Sequence, residues 1–228
     1  IEANAGVVRA TQADTIICDL PRATLTDVAA LPAVAQIAPY EPTTPDMQMA
    51  RGISGVQAAF DLHGLDGEGE VVGVADSGLD IGADTDQLHP DFRALDGTGG
   101  RVIGYSVGGR TDAATGLPLW DDPEGHGTHV SGTTAGNGRA DGLRRRPSGI
   151  AYQARLVMQS LLDPALQFNI PANLNTLYDP IYTTDGVRSH NNSWGAGNNA
   201  QYLPRAYQID DFIWRHPDMI IVRTMGNA

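Results

Sequence analysis

Asp76, in VVGVADSGLD, and His126, in GHGTHVSGTTAG, supply a carboxylate and an imidazole, each set among small residues. An imidazole takes a proton from a hydroxyl best when a buried carboxylate fixes its tautomer and stabilises its cation. Asp76 and His126 fit those two roles, which together are acid–base chemistry in the service of a hydroxyl nucleophile. Gly78, Gly125 and Gly127 lie beside them and permit close backbone approach. Asn227, which follows the apolar run of MIIVRTMG, is a third candidate.

The elements that must position these residues are legible as a pattern. From Glu70 onward the runs EVVGVA, RVIGYSV, ARLVMQSLL and MIIVRTM lack a period of two, as expected of parallel strands covered on both faces. Leu174, Leu177, Tyr178 and Ile181 fall at helical spacing, as do Tyr202, Ala206, Ile209 and Ile213. Strand, helix, strand in repetition predicts an α/β fold with a doubly wound, mostly parallel sheet. Ligands of such sheets bind outside the carboxyl ends of the strands. Asp76 and Asn227 both lie just past such runs, and His126 opens a predicted helix over HVSGTTAG that brings it to the same edge.

Residues 1–45 read as a separate, smaller α+β unit, with an extended stretch in VVRATQADTIICDLP, a helix in TLTDVAALPA capped by Thr24, and a short strand in VAQIAPY. The link EPTTPDM favours extended backbone and marks a boundary or processing zone, leaving 46–228 as the larger unit.

Composition narrows the function classes. A chain of 228 residues with 41% hydrophobic and 18% charged residues can bury a core, and no apolar run approaches the roughly 18 to 20 residues of a membrane span. The net charge is −12, and all 15 basic residues are Arg, so a nucleic-acid partner is disfavoured. Arg144, Arg145 and Arg146 read as a solvated loop, with a cleavage site as the sharper alternative. Cys18 is the lone cysteine, expected as a buried strand thiol, and excludes an internal disulfide framework. The chain opens on Ile1 with no visible leader, so a trimmed or partial chain is expected.

The motifs around Asp76 (VADSGLD) and His126 (HGTHVSG), in this order, resemble those of the subtilisin-like serine proteases, the subtilases, over roughly residues 50–228. GLDIGADTDQLHPDF and NNSWG are similar to the alkaline, oxidation-resistant branch from bacilli. The resemblance implies peptide-bond hydrolysis, with His126 as general base, Asp76 orienting it and Asn227 donating to the oxyanion. It also implies that Ser193, Trp194 and Gly195 line the pocket for the residue before the scissile bond. Protein or peptide substrates, secretion, no required cofactor and room for structural calcium follow from it too. VAALPAVAQIAPYEP resembles the end of a subtilase propeptide, which implies that residues 1–45 dock on the larger unit as folding aid and temporary inhibitor. The family's serine motif, Gly-Thr-Ser-Met-Ala, does not occur in the 228 residues. The order Asp, His, Ser therefore assigns the nucleophile to a segment beyond residue 228, and the 228 residues alone are expected to be inactive.

Rival readings use some of the same residues. An inactive subtilase fragment or pseudoprotease would bind only peptide or its propeptide. His126, His129 and Asp76 could be zinc ligands, although the HGTH spacing differs from the i, i+4 helical zinc motif. GYSVG around Ser106 matches a nucleophile elbow, which requires a helix directly after it. More bland assignments make His129 a satisfied structural histidine, place His63, His89, His190 and His216 in loops or at the surface, and leave Trp194 a core aromatic. They also give Asn191 and Asn192 the task of satisfying strand-end backbone groups.

Overall fold

The computed structural model describes residues 6–12, 15–39, 47–94, 100–139, 148–195 and 201–226. The chain divides into two compact units, Ile1–Pro45 and Asp46–Ala228. In the first, β1 (Val7–Gln12) pairs antiparallel with β2 (Thr15–Asp19), and Arg9 forms an ion pair with Asp19 across the ribbon. A 3₁₀ turn, Arg22–Thr24, leads into a single short helix, α1 (Leu25–Ala29). Thr24 does not cap it with its side chain, because its hydroxyl donates instead to the Pro21 carbonyl at 2.9 Å. The strand expected in VAQIAPY is not formed: residues 34–39 have no regular structure, and Tyr40 lies outside the described residues. Cys18 lies on β2 but is only half-buried, since a two-stranded ribbon has little interior of its own.

The second unit begins with α2 (Met47–Ile53) and α3 (Val56–His63) and then builds its sheet. Its strands are β3 (Val71–Asp76), β4 (Val102–Ser106), β5 (Arg155–Ser160), β6 (Ser189–Asn192) and β7 (Ile220–Arg223). All pair in parallel, in the order β4-β5-β3-β6-β7. Helices α4 (His126–Ala135), α5 (Asn175–Pro180) and α6 (Pro204–Arg215) complete the layers. This is the α/β, doubly wound parallel architecture that the apolar runs predict.

Side-chain alternation along the strands separates two cores. Val74, Leu156 and Met158 pack with Leu79, Leu88, Phe92 and Ala135 of α4. Ala75 and Val157 pack with Leu177 and Tyr178 of α5 and with Ile209 and Phe212 of α6. Because both faces are covered, the middles of β3 and β5 put apolar residues into both cores, which explains the missing period of two. The central strand β3 lies between β5 and β6, and its carboxyl end is the residue Asp76.

Two helical readings shift at their ends. Pro204 starts α6, as suits a residue with no N–H to donate, so Tyr202 lies ahead of the helix and is exposed. Ile181 is not on α5 itself but opens a π turn, Ile181–Asp185, that follows Pro180.

Candidate active site

Asp76 is the last residue of β3 and fully buried, whereas His126 is the first residue of α4 and about half exposed (51%). The fold brings these sequence-distant residues together, with His126 Nδ1 2.7 Å from Asp76 Oδ1. A carboxylate can only accept, so the proton of a neutral imidazole is held on Nδ1. Nε2 is thereby left as the atom able to take a proton. Asp76 Oδ1 also accepts from the Ser77 N–H at 2.7 Å, while Oδ2 is buried without a partner among the described residues. The hydrogen bond to Asp76 raises the His126 pKa above the ordinary histidine value, aided by the charges of Asp76, Asp122 and Glu124 and opposed by partial burial.

The imidazole is held by the way α4 begins. The first N–H groups of a helix lack partners within it. Here Gly127 N–H donates to Ser77 Oγ at 2.8 Å, and Thr128 N–H donates to Asp122 Oδ2 at 2.7 Å. Asp122 Oδ1 accepts from Gly125 N–H at 2.9 Å and from Ser77 Oγ at 2.8 Å. Thr128 Oγ1 donates to Asp122 Oδ2 at 2.6 Å and accepts from the Asp80 N–H at 2.8 Å. The His126-bearing turn is thus tied to the residues directly after β3. Gly125 enters the helix at φ 82°, and a Cβ on Gly127 would lie 2.2 Å from the Gly78 carbonyl oxygen, so both positions around His126 require glycine.

The segment expected to line a pocket follows β6. Ser193 Oγ accepts from Asn191 Nδ2 at 2.8 Å, Trp194 is buried in the α5–α6 core, and Gly195 is exposed. The Arg223 guanidinium lies 4.2 Å from the centroid of the Trp194 ring and donates through Nη2 to the Trp194 carbonyl at 3.1 Å. Asn192 Nδ2 reaches the Val222 carbonyl at 3.3 Å, a backbone group on β7. Asn227 lies outside the described residues, as do Arg144, Arg145 and Arg146.

The rival constellations have different surroundings. Ser106 ends β4 and its hydroxyl donates to the Arg110 carbonyl at 2.6 Å, with no helix before α4, so the strand, turn and helix of a nucleophile elbow are not formed. His129 is exposed on α4 and is not a buried structural histidine. Among the described residues no group of three His, Cys, Asp or Glu side chains is placed to hold a metal ion.

The sequence profile of the Peptidase_S8 Subtilase family matches residues 67–228, most of the chain. The chain belongs to the subtilase family. The subtilase is 30% identical over 169 residues to the serine protease/ABC transporter B family protein tagA of Dictyostelium discoideum, covering 74% of this chain and 9% of that protein. It is 35% identical over 133 residues to an intracellular serine protease of Paenibacillus polymyxa, covering 56% of this chain and 35% of the relative. The chain therefore spans only a minor part of the relatives it matches. Among solved structures, the Clostridium perfringens CspB protease aligns with a TM-score of 0.58 at 20% identity, over 77% of this chain and 39% of that one, a likeness of fold.

Ser77 and Asp122 are residues of this subtilase site that the motif reading did not single out. Their signals were present, since Ser77 directly follows Asp76 and Asp122 stands four residues ahead of His126, where an Asx-type turn can open a helix. His190, expected in a loop or at the surface, is instead fully buried on β6. Its Nε2 lies 2.9 Å from Gln159 Oε1, and Asn192 Nδ2 donates to its Nδ1 at 2.9 Å. Gln159 Nε2 donates to the Leu177 carbonyl, which turns its oxygen toward His190 and sets the neutral Nε2–H tautomer. Desolvation pushes the His190 pKa down to about 3. The ring has room because residue 73 is glycine: a Cβ there would lie 2.4 Å from His190 Cδ2.

Proposed function

We propose that the protein is a serine endopeptidase that cleaves peptide bonds by acyl transfer, with Asp76 and His126 as two members of its triad. The observation that carries this reading is the 2.7 Å contact between His126 Nδ1 and the buried Asp76 carboxylate, at the carboxyl end of the central strand of a subtilase chain. His126 Nε2 takes the proton from a serine hydroxyl as its oxygen bonds to the scissile carbonyl carbon. The carbonyl oxygen becomes an oxyanion, to which Asn227 donates. His126 then returns the proton to the leaving amine nitrogen, and water repeats the sequence to release the acyl group and restore the serine. In this reading the serine belongs to a segment beyond residue 228, and Ser193, Trp194 and Gly195 hold the substrate.

Residues 1–45 are read as a propeptide-like partner of the larger unit, a reading supported by the division of the chain at Pro45. Secretion belongs to the proposal through the subtilase resemblance alone, and one relative is named an intracellular protease. The chemistry needs no cofactor. Structural calcium belongs to the proposal through the subtilase resemblance alone.

Cleavage of an unstructured peptide by the full-length protein and by its His126→Ala variant tests the proposal. Loss of about 10⁶-fold in turnover is expected, the scale found for subtilisin itself. Equal rates would overturn it and leave a peptide-binding role. Asn227→Ala in the same assay is expected to cost about 10² to 10³-fold, a figure that also comes from subtilisin.

A further inference from the structure

We propose that Arg223 is a positioning residue for substrate binding, holding the ring and the backbone of Trp194 with one guanidinium. This rests on the reading of Ser193, Trp194 and Gly195 as a substrate-binding segment, and it assigns that segment its support. Arg223 ends β7, pairs in register with Asn192, and Asn192 pairs with Ala75, the residue before Asp76. At about 4.8 Å per strand, Arg223 therefore lies roughly 10 Å along the same edge of the sheet from the backbone that carries Asp76.

Three observations separate this arginine from an ordinary surface cation. No ion pair joins it to a carboxylate among the described residues, in a chain that contains 27 acidic residues. Its guanidinium carbon stacks 4.2 Å from the Trp194 ring centroid while Nη2 donates to the Trp194 carbonyl at 3.1 Å. The Trp194 indole N–H, though buried, has no hydrogen-bond partner among the described residues. The ring orientation is consequently not set by its own polar atom and depends on packing and on the stacked cation. A planar guanidinium can stack and donate at the same time, which an ammonium cannot do equally well. Asn192 reinforces the arrangement by binding the Val222 carbonyl next to Arg223.

The test measures kcat and KM of the full-length protein on Ala-Ala-Pro-Phe p-nitroanilide for Arg223→Ala, Arg223→Lys, Trp194→Ala and His126→Ala. Arg223→Ala is expected to raise KM about tenfold with kcat changed less than about twofold, Arg223→Lys to fall between it and the wild type, and Trp194→Ala to raise KM at least as much. In a Trp214→Phe background, Arg223→Ala is also expected to shift tryptophan emission to the red. An unchanged KM in Arg223→Ala, or parallel losses in kcat and thermal stability without a KM effect, overturns the proposal. The underlying readings fail separately: an active His126→Ala removes the protease assignment, and an unchanged KM in Trp194→Ala removes the substrate-binding segment.

Discussion

Two histidines, His126 at the start of α4 and His190 on β6, have surroundings that drive them in opposite directions. His126 opens a helix, keeps about half of its side chain in solvent and faces a carboxylate, so its pKa is raised. His190 sits inside the sheet between the neutral amides of Gln159 and Asn192, with the Tyr178 ring edge-on at 5.1 Å, and burial holds its pKa at about 3. Side-chain identity therefore says little about role. A charged partner and access to water make one imidazole more basic, whereas neutral partners and dry packing make the other a fixed part of the core.

The strongest way to break this contrast is to remove the charge facing His126. Asp76→Asn keeps the size of the side chain but loses the preference for the Nδ1–H tautomer, and it is expected to lower turnover about 10⁴-fold in a peptidase assay. A smaller loss, below about tenfold, would show that the carboxylate does not orient the base.

The second prediction concerns His190 and is read as stability. Replacing it by Leu leaves Gln159 Oε1 and Asn192 Nδ2 without their histidine partner, so a loss of about 1 to 3 kcal/mol is expected in urea unfolding. The pH dependence has a definite sign. Below about pH 6.5 the unfolded chain protonates His190 while the folded chain does not until about pH 3, so its contribution to stability falls as the pH drops across that window. The His190→Leu variant should lose this part of the acid dependence; an identical acid profile would refute the buried neutral state. His126 contributes in the opposite sense: its protonated form favours the folded protein below about pH 6.5, and that advantage disappears as the pH rises through its raised value.

The smallest effect belongs to Ser77. Ser77→Ala removes the acceptor of the Gly127 N–H at the start of α4 and is expected to cost about 0.5 to 2 kcal/mol in thermal unfolding, with a modest fall in turnover. No change in either would mean that this cap does not hold His126.

The same contrast explains what was legible in the sequence. The Asp76 and His126 motifs, the runs that became β3, β4, β5 and β7, and the helix at His126 were readable because apolar continuity and glycine-flanked motifs are local signals. β6 was not readable from hydrophobicity, since Ser189-His190-Asn191-Asn192 is polar throughout. It is buried because Gln159 on β5 and Asn192 on the same strand satisfy His190, contacts that depend on strands far apart in the chain. Ser77 and Asp122 carried local signals, but the bond that ties them to each other joins residues 45 apart in the chain and has no signal of its own. The strand expected in VAQIAPY illustrates the reverse error, an apolar stretch whose residues 34–39 pair with neither β1 nor β2.

The most direct test is the titration of the His126 ring protons by NMR in the wild-type protein and in Asp76→Asn. A midpoint above 6.5 is expected for the wild type, falling when the carboxylate is removed. A midpoint at or below 6.5, unchanged by Asp76→Asn, would contradict it.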